Sequence, residues 1–372
     1  MRALIATIAR STGIAALALL VLAIGVWGTL LLAFAGPGVE TTRLGLAVAF
    51  GVASAVAFAA IFTRRWRAKA AMIYALLGVP LAVVWNDLTP TNDRDWQPEV
   101  AVLPYATMTG ERVTVHNVRN FDYRSETDYT IAYYDRTYDL RDLRSADLVT
   151  SYWMGPDVAH VFVSFGFEGD RYLAVSIEVR KPRGVEYSTL KGFFRQYELV
   201  YVAADERDVI RLRTNYRRDP PEDVYLYRLA ARPAAVRRLF LEYMYRMNRL
   251  EAAPEFYNTL TTNCTTSIWM NDRVNSGGVP LSWKILVSGH VPEYLYDEGR
   301  LETGGLSFPE LRQRAHVNAQ AGYADSAADF SRQIRAPVEV QESAQRNHAQ
   351  CVFDSCNRPS GSAIPRARTG AA

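Results

Sequence analysis

The sequence predicts an α+β domain carried on a bundle of three transmembrane helices. Three observations lead there. The first 85 residues hold three long apolar runs; residues from Trp96 to about Phe308 alternate like a β-rich domain; and two segments of helical period follow the strands. The chain of 372 residues has a formal charge of +3, but that charge is unevenly placed. Residues 1–85 carry seven basic side chains (Arg2, Arg10, Arg43, Arg64, Arg65, Arg67, Lys69) and one acidic (Glu40), a net +6. The remainder carries −3. A slightly acidic main domain argues against nucleic acid as a partner, because phosphate neutralisation needs clustered Lys and Arg.

The N-terminal segment, residues 1–90, reads as a membrane anchor. Gly13 to Ala35 is uncharged and almost unbroken in its apolarity, and about 20 such residues span a bilayer. Leu44 to Phe62 is a second run, dense in Ala, Gly and Ser, which suits close helix approach. Ala70 to Trp85 is a third, short and interrupted by Pro80. Ala33-Phe34-Ala35 resembles a signal-peptide cleavage site, but an apolar signal region is about 7–15 residues. The longer run here reads as an uncleaved helix. Basic residues flank the first span on its N-terminal side and fill the loop between the second and third. The positive-inside rule then expects a cytoplasmic N-terminus and a periplasmic domain, in a multi-pass protein of a bacterial inner membrane.

Residues 91–310 are expected to form the periplasmic domain. Candidate strands are Arg112–Val118, Tyr129–Tyr134, Ala146–Met154, His160–Phe167, Arg171–Arg180, Tyr197–Ala203, Val209–Thr214 and Asp223–Leu229, rich in Val, Ile, Tyr and Phe. Pro233 to Ala252 reads as a helix, with Pro at its first position and Leu239, Phe240, Tyr243, Met244 and Met247 at helical spacing. A second helix is expected from about Asn263 to Val274. Residues 311–372, rich in Ala, Gln, Ser and Arg, read as a mostly disordered tail.

The chemistry centres on one cysteine. Cys351 and Cys356 lie in the tail and are close enough to pair or to stay free. Cys264 follows Asn263, a good N-cap, so it falls in the first turn of a helix, where free N–H groups and the dipole favour a thiolate. A small buried hydrophobe is the bland alternative, but Thr261, Thr262, Thr265 and Thr266 make a poor apolar pocket. The base is sought among His116, His160, His290, His316 and His348. His160 opens a strand that turns at Glu168-Gly169-Asp170 into the next. A three-residue loop centred on Gly169 places Glu178 opposite His160 on the same face, the arrangement that orients an imidazole and stabilises its cation. A slip of one residue would send Glu178 to the other face, and a structural ion pair is the alternative reading. There is no CxxC or HExxH, and neither a metal nor any other cofactor is expected.

The order His160 on one strand, Glu178 on the next and Cys264 at a helix start resembles the circularly permuted NlpC-type papain-like thiol enzymes. The stretch from Trp96 to about Val274 is similar to the N-terminal periplasmic domain of Lnb, the bacterial lipoprotein N-acyltransferase family. The resemblance rests on Asn120-Phe121-Asp122-Tyr123, Ala159 to Phe167, Ser176-Ile177-Glu178-Val179-Arg180, Glu206-Arg207-Asp208-Val209 and Tyr257 to Thr266. It implies acyl transfer through a thioester on Cys264, with His160 as base and Glu178 orienting it, acting on a membrane lipid or lipoprotein. The Cys264 N–H would bind the oxyanion. Asn263, Ser176, Arg180, Arg119, Asn120 and Tyr257 are the substrate-binding or oxyanion candidates. This chain departs from Lnb in placing its membrane spans before the domain. A hydrolase using the same dyad (a peptidoglycan amidase or lipase) and a non-catalytic interaction module stay open as alternatives.

Overall fold

The computed structural model describes residues 1–336, except the side chain of Ala3; His348, Cys351 and Cys356 lie outside the described residues. The chain begins with α1 (Arg2–Ala35), α2 (Glu40–Ile61) and α3 (Arg67–Asp87), followed by the short α4 (Pro98–Ala101). The strands are β1 (Tyr105–Thr109), β2 (Arg112–Arg119), β3 (Asp122–Tyr123), β4 (Tyr129–Thr130), β5 (Tyr133–Asp139), β6 (Leu143–Tyr152), β7 (Ala159–Phe167) and β8 (Arg171–Arg180). Then come α5 (Thr189–Gly192), β9 (Glu198–Ala204), α6 (Glu206–Arg211) and β10 (Asp223–Arg228). Helices α7 (Pro233–Ala252), α8 (Cys264–Asp272), α9 (Trp283–Leu286), α10 (Val291–Asp297), α11 (Phe308–Ala315), α12 (Asn318–Tyr323) and α13 (Phe330–Gln333) complete the described chain.

Helices α1 to α3 are each long and apolar enough to cross a membrane. They pack through small residues and one polar relay. Tyr74 donates to the Val21 carbonyl at 3.1 Å and meets Ser54 Oγ at 3.1 Å, so these two buried hydroxyls are partnered. A side chain at Gly28 would meet the ends of the Leu81 and Phe50 side chains, each 2.6 Å from its Cβ, so both would have to shift to admit one.

The main sheet runs β1-β2-β9-β8-β7-β6-β10, with β5 also paired to β2. Alternation along its strands feeds two cores. Val163, Phe165 and Phe167 of β7 pack with Leu173 and Val175 of β8 beneath Phe240, Tyr243 and Met244 of α7. Phe162 and Ala174 face the opposite side, where Val209, Ile210, Val317, Ala321, Phe330 and Ile334 cover them. A sheet sandwiched between helices can bury both faces, which explains its near-continuous apolar central strands.

The strand and helix limits expected from periodicity agree closely for β8, α7 and α8, but two expectations need correction. Val209–Thr214 is not a strand: α6 runs through it and continues as a π-helical turn at Leu212–Tyr216. Asp205 accepts from the Arg207 N–H and caps this helix, and tertiary packing decides an apolar run too short for periodicity to assign. The segment read as a disordered tail begins too early. Residues 308–336 fold into α11 to α13, and Arg335 inserts between two buried carboxylates, reaching Asp147 Oδ2 at 2.7 Å and Glu206 Oε1 at 2.7 Å. Asp147 is also paired with Arg228, and Glu206 accepts from Ser164 at 2.5 Å.

Arg335→Ala leaves two fully buried carboxylates short of a cation. It is expected to destabilise the domain by about 3–5 kcal/mol, the usual cost of breaking a buried pair by removing one partner. Thermal unfolding of the detergent-solubilised chain checks this. A loss within about 0.5 kcal/mol, typical of surface substitutions, would show that the segment is not part of the fold's stability.

Candidate active site

The site is built where two neighbouring strands part. The β7–β8 ladder runs from Phe167↔Arg171 to Val163↔Val175, the register that a three-residue turn at Gly169 imposes. Beyond Val163, β7 stays paired to β6 (Val161↔Thr150, His160↔Ser151), whereas β8 stays paired to β9 (Ser176↔Val202, Glu178↔Val200). His160 and Glu178 lie on the two prongs of this fork, and Nε2 of His160 stands 3.1 Å from Glu178 Oε1. The expected juxtaposition is therefore present, although by an open fork and not by a paired rung.

Ser176 lies between them. Its hydroxyl donates to Glu178 Oε1 at 2.7 Å, which leaves its oxygen to accept from His160 Nε2 at 2.7 Å. Nε2 thus carries the proton and faces Ser176 and Glu178, so Nδ1 is left for the thiol. Cys264 opens α8 and hydrogen-bonds to His160; the backbone N–H of Val161 also donates to its sulfur. The geometry explains that second bond: at the fork Val161 has lost its β8 partner.

Helix α8 is placed by a capping box. Asn263 Oδ1 accepts the Thr266 N–H at 2.9 Å while Thr266 Oγ1 accepts the Asn263 N–H at 3.0 Å. Asn263 Nδ2 donates to the Thr259 carbonyl at 2.7 Å, so its amide is committed to holding the loop. The N–H groups of Cys264 and Thr265, at the first two helical positions, have no partner within the helix by geometry.

Electrostatics favour a thiolate–imidazolium pair. Burial pushes the Cys264 thiol up, but the hydrogen bond and charge of His160, with the Val161 N–H, bring it below the ordinary thiol value. Burial pushes the His160 imidazole down, but Glu178 and Cys264 outweigh it and raise it to about 9. Burial likewise opposes the Glu178 charge, and His160, Arg213 and Ser176 hold its carboxyl well below the usual range. Arg213 was not singled out from sequence. It lies in the π-helical turn, donates to Glu178 Oε1 at 3.0 Å and sits 3.8 Å from Glu222. Glu222 is held in turn by Arg217 at 2.7 Å and by Ser151. A helix turn with one extra residue often marks a functional site, but no periodicity in the sequence announces it.

Of the remaining candidates, Arg119 and Arg180 are engaged elsewhere, whereas Tyr257 lies near the thiol. Arg119 grips Asp208 through Nε and Nη2 and donates to the Glu99 carbonyl at 2.8 Å. Asn120 gives its backbone N–H to Ala132. Arg180 stacks on Trp96 at 4.3 Å and donates to the Val100 and Ala101 carbonyls and to Asn92 Oδ1. Asn92 is itself bonded to Leu250 and Glu251, so Arg180 straps the linker after α3 onto the domain. Tyr257 is buried, and its hydroxyl is raised above the ordinary range by burial and by nearby Tyr187, Cys264 and Glu178. No group of three or more His, Cys, Asp or Glu among the described residues could hold a metal ion.

A cavity of about 620 Å³ adjoins α8. Thr265, Ile268 and Trp269 of that helix line it with Leu148, Val163 and Leu239, and Arg238, Asp272 and Arg300 also border it. Its size is within the roughly 300–1,000 Å³ of small-molecule sites.

A mixed α/β domain with a cysteine, histidine and glutamate gathered at a helix start, on three apolar helices, is a membrane-associated protein with a candidate thiol site. Residues 129–289 match the family model described as the Lnb N-terminal periplasmic domain, and the match spans β7, β8 and the start of α8. That match, together with three helices long and apolar enough to cross a membrane, fits a membrane-associated protein with a periplasmic domain at the inner membrane. Neither curated proteins nor solved structures gave a match to this chain.

The ion pair dictates an unusual pH profile for alkylation of Cys264 by iodoacetamide, with Cys351 and Cys356 changed to Ser. The rate is expected to rise at lower pH than for an ordinary thiol and to change again near pH 9, as His160 loses its proton. In His160→Ala only the Val161 N–H still opposes burial, so a single step is expected, at higher pH than in the parent protein. Identical profiles for the two proteins would show that His160 does not govern the thiol.

Proposed function

We propose that this protein is a membrane-anchored periplasmic acyltransferase that works through a thioester on Cys264, taking its acyl group from a lipid or lipoprotein. The observation that carries this reading is the Cys264–His160–Glu178 arrangement at the strand fork, with the thiol lowered and the imidazole raised. The thiolate attacks an ester carbonyl. The tetrahedral oxyanion is met by the N–H of Cys264 at the start of α8, where the helix dipole adds to the donor. The intermediate collapses by breaking the ester C–O bond, and His160 passes its proton to the departing alkoxide. An amine, such as the N-terminus of a lipoprotein, then attacks the thioester. His160 takes the proton from the amine, and the thiolate leaves. Glu178, held by Ser176 and Arg213, keeps the imidazole oriented and stabilises its cation.

The anchor supports the same reading, because it holds the site among lipid substrates at high effective concentration. In this reading the N-terminus and the basic loop at Arg64 to Lys69 are cytoplasmic.

The test is to incubate the full-length protein in liposomes with a phospholipid or diacylated lipopeptide that carries an alkyne-tagged acyl chain. A tagged, hydroxylamine-labile adduct on Cys264 is expected, absent in Cys264→Ala. His160→Ala should form it about 10²–10⁴-fold more slowly, the usual loss on removing a general acid–base. Adduct discharge by an added amine supports transfer, and discharge by water alone would make the protein a hydrolase. No adduct with any ester donor would overturn the proposal.

A further inference from the structure

Among the described residues, Phe193, Phe194 and Arg195 pack the domain against the membrane helices, and that segment leads to Cys264. Phe194, which follows α5, packs its ring 5.5 Å from Phe34, a residue in the last turn of the α1 span. Arg195 lies over the Trp85 ring at 4.1 Å and donates to the Trp85 carbonyl at 2.8 Å, at the matching end of α3. Trp27 and Trp85 pack together at this end of the bundle, at 5.5 Å, where tryptophan is enriched at the boundary between hydrocarbon and water. The α5 segment therefore abuts the bilayer surface.

Two large apolar side chains are left exposed in this region among the described residues. Leu190 is 52% exposed on α5, three residues before Phe193, so the two share one side of the turn. Phe193 packs into the membrane-helix cluster. Leu260 is 50% exposed at the tip of the turn leading to α8. Asn258 Oδ1 accepts the N–H groups of Leu260 and Thr261, which shapes that turn, and Thr259 Oγ1 ties it to the Thr189 carbonyl of α5 at 2.8 Å. A side chain at Gly192 would run into Thr259, so glycine permits the close approach of the two segments. Asn263, the cap of α8, then holds the Thr259 carbonyl. A series of contacts thus runs from the membrane helices at Phe193 and Phe194 through Thr189 and Thr259 to Asn263, the cap that precedes Cys264.

We infer that Leu190 and Leu260 form a lip immersed in the lipid bilayer, so that the Cys264 site opens at the membrane surface and not toward bulk water. Tyr187, 45% exposed beside them, suits the headgroup level. The occupant is lipid because Leu190 lies three residues from Phe193, which with Phe194 packs into the core of the membrane helices and so seats this exposed patch beside the bundle. The inference rests on the membrane helices and does not require Cys264 to be catalytic.

Site-directed spin labelling tests it. Leu190→Cys and Leu260→Cys would each be labelled in the full chain, with Cys264, Cys351 and Cys356 changed to Ser, and reconstituted in phosphatidylcholine–phosphatidylglycerol liposomes containing no other protein. Glu168→Cys is the control, about 25 Å away along β7 at the far end of the hairpin. Both lip labels should collide more with oxygen, which dissolves in lipid, than with a water-soluble nickel chelate; the control should show the reverse. A lip label that matches the control would overturn the inference and leave the leucines for a protein partner.

Discussion

The structure depends on the parting of β7 from β8 beyond Val163. A central sheet normally satisfies its own backbone and leaves no place for chemistry between strands. Here each prong keeps a partner on its outer side, so only the inner groups are released. One of them, the Val161 N–H, is turned toward the Cys264 sulfur. His160 shares the sheet face of Phe162, whereas its neighbour Val161 faces the α10–α11 side. The fork is what lets a thiol on one layer meet an imidazole on the other. An intact ladder would have placed a β7–β8 pairing where the thiol enters.

Opening a sheet at its centre exposes charges to a medium of low polarity, and isolated charges there are costly. The site answers with alternation. The Cys264 thiolate faces His160, His160 faces Glu178, Glu178 faces Arg213, Arg213 faces Glu222, and Glu222 faces Arg217. Three negative groups and three positive groups follow one another, each flanked by the opposite sign. Ser176 and Ser151 supply hydroxyls at two of the carboxylates. The same device recurs on the other side of the core, where Arg335 joins Asp147 and Glu206.

Much of this was legible in the sequence. The β7–β8 register followed from the length of one loop, because a strand repeats every two residues and Gly169 supplies a positive φ of 72° at its centre. The cap at Asn263 placed Cys264 in the first helical turn without reference to anything distant. Arg213 could not be found this way: it belongs to a run first read as a strand, and its role depends on a π-helical turn that no local pattern signals. Arg119 and Arg180 read as site candidates because an arginine beside acidic and aromatic residues suits both a ligand and a strap. Their partners, Asp208 for one and Asn92 for the other, lie 89 and 88 residues away.

The sequence by itself determined the three membrane spans, the hairpin that aligns His160 with Glu178, and the helix start that carries Cys264. Each is set by interactions within a few residues or by transfer of an apolar segment into lipid, which composition records directly. Only the tertiary structure decided that the strands part, that Arg213 reaches Glu178, that residues 308–336 close the second core, and that α5 rests on the ends of α1 and α3. These depend on side chains separated by tens to hundreds of residues, whose meeting is a property of packing and not of pattern.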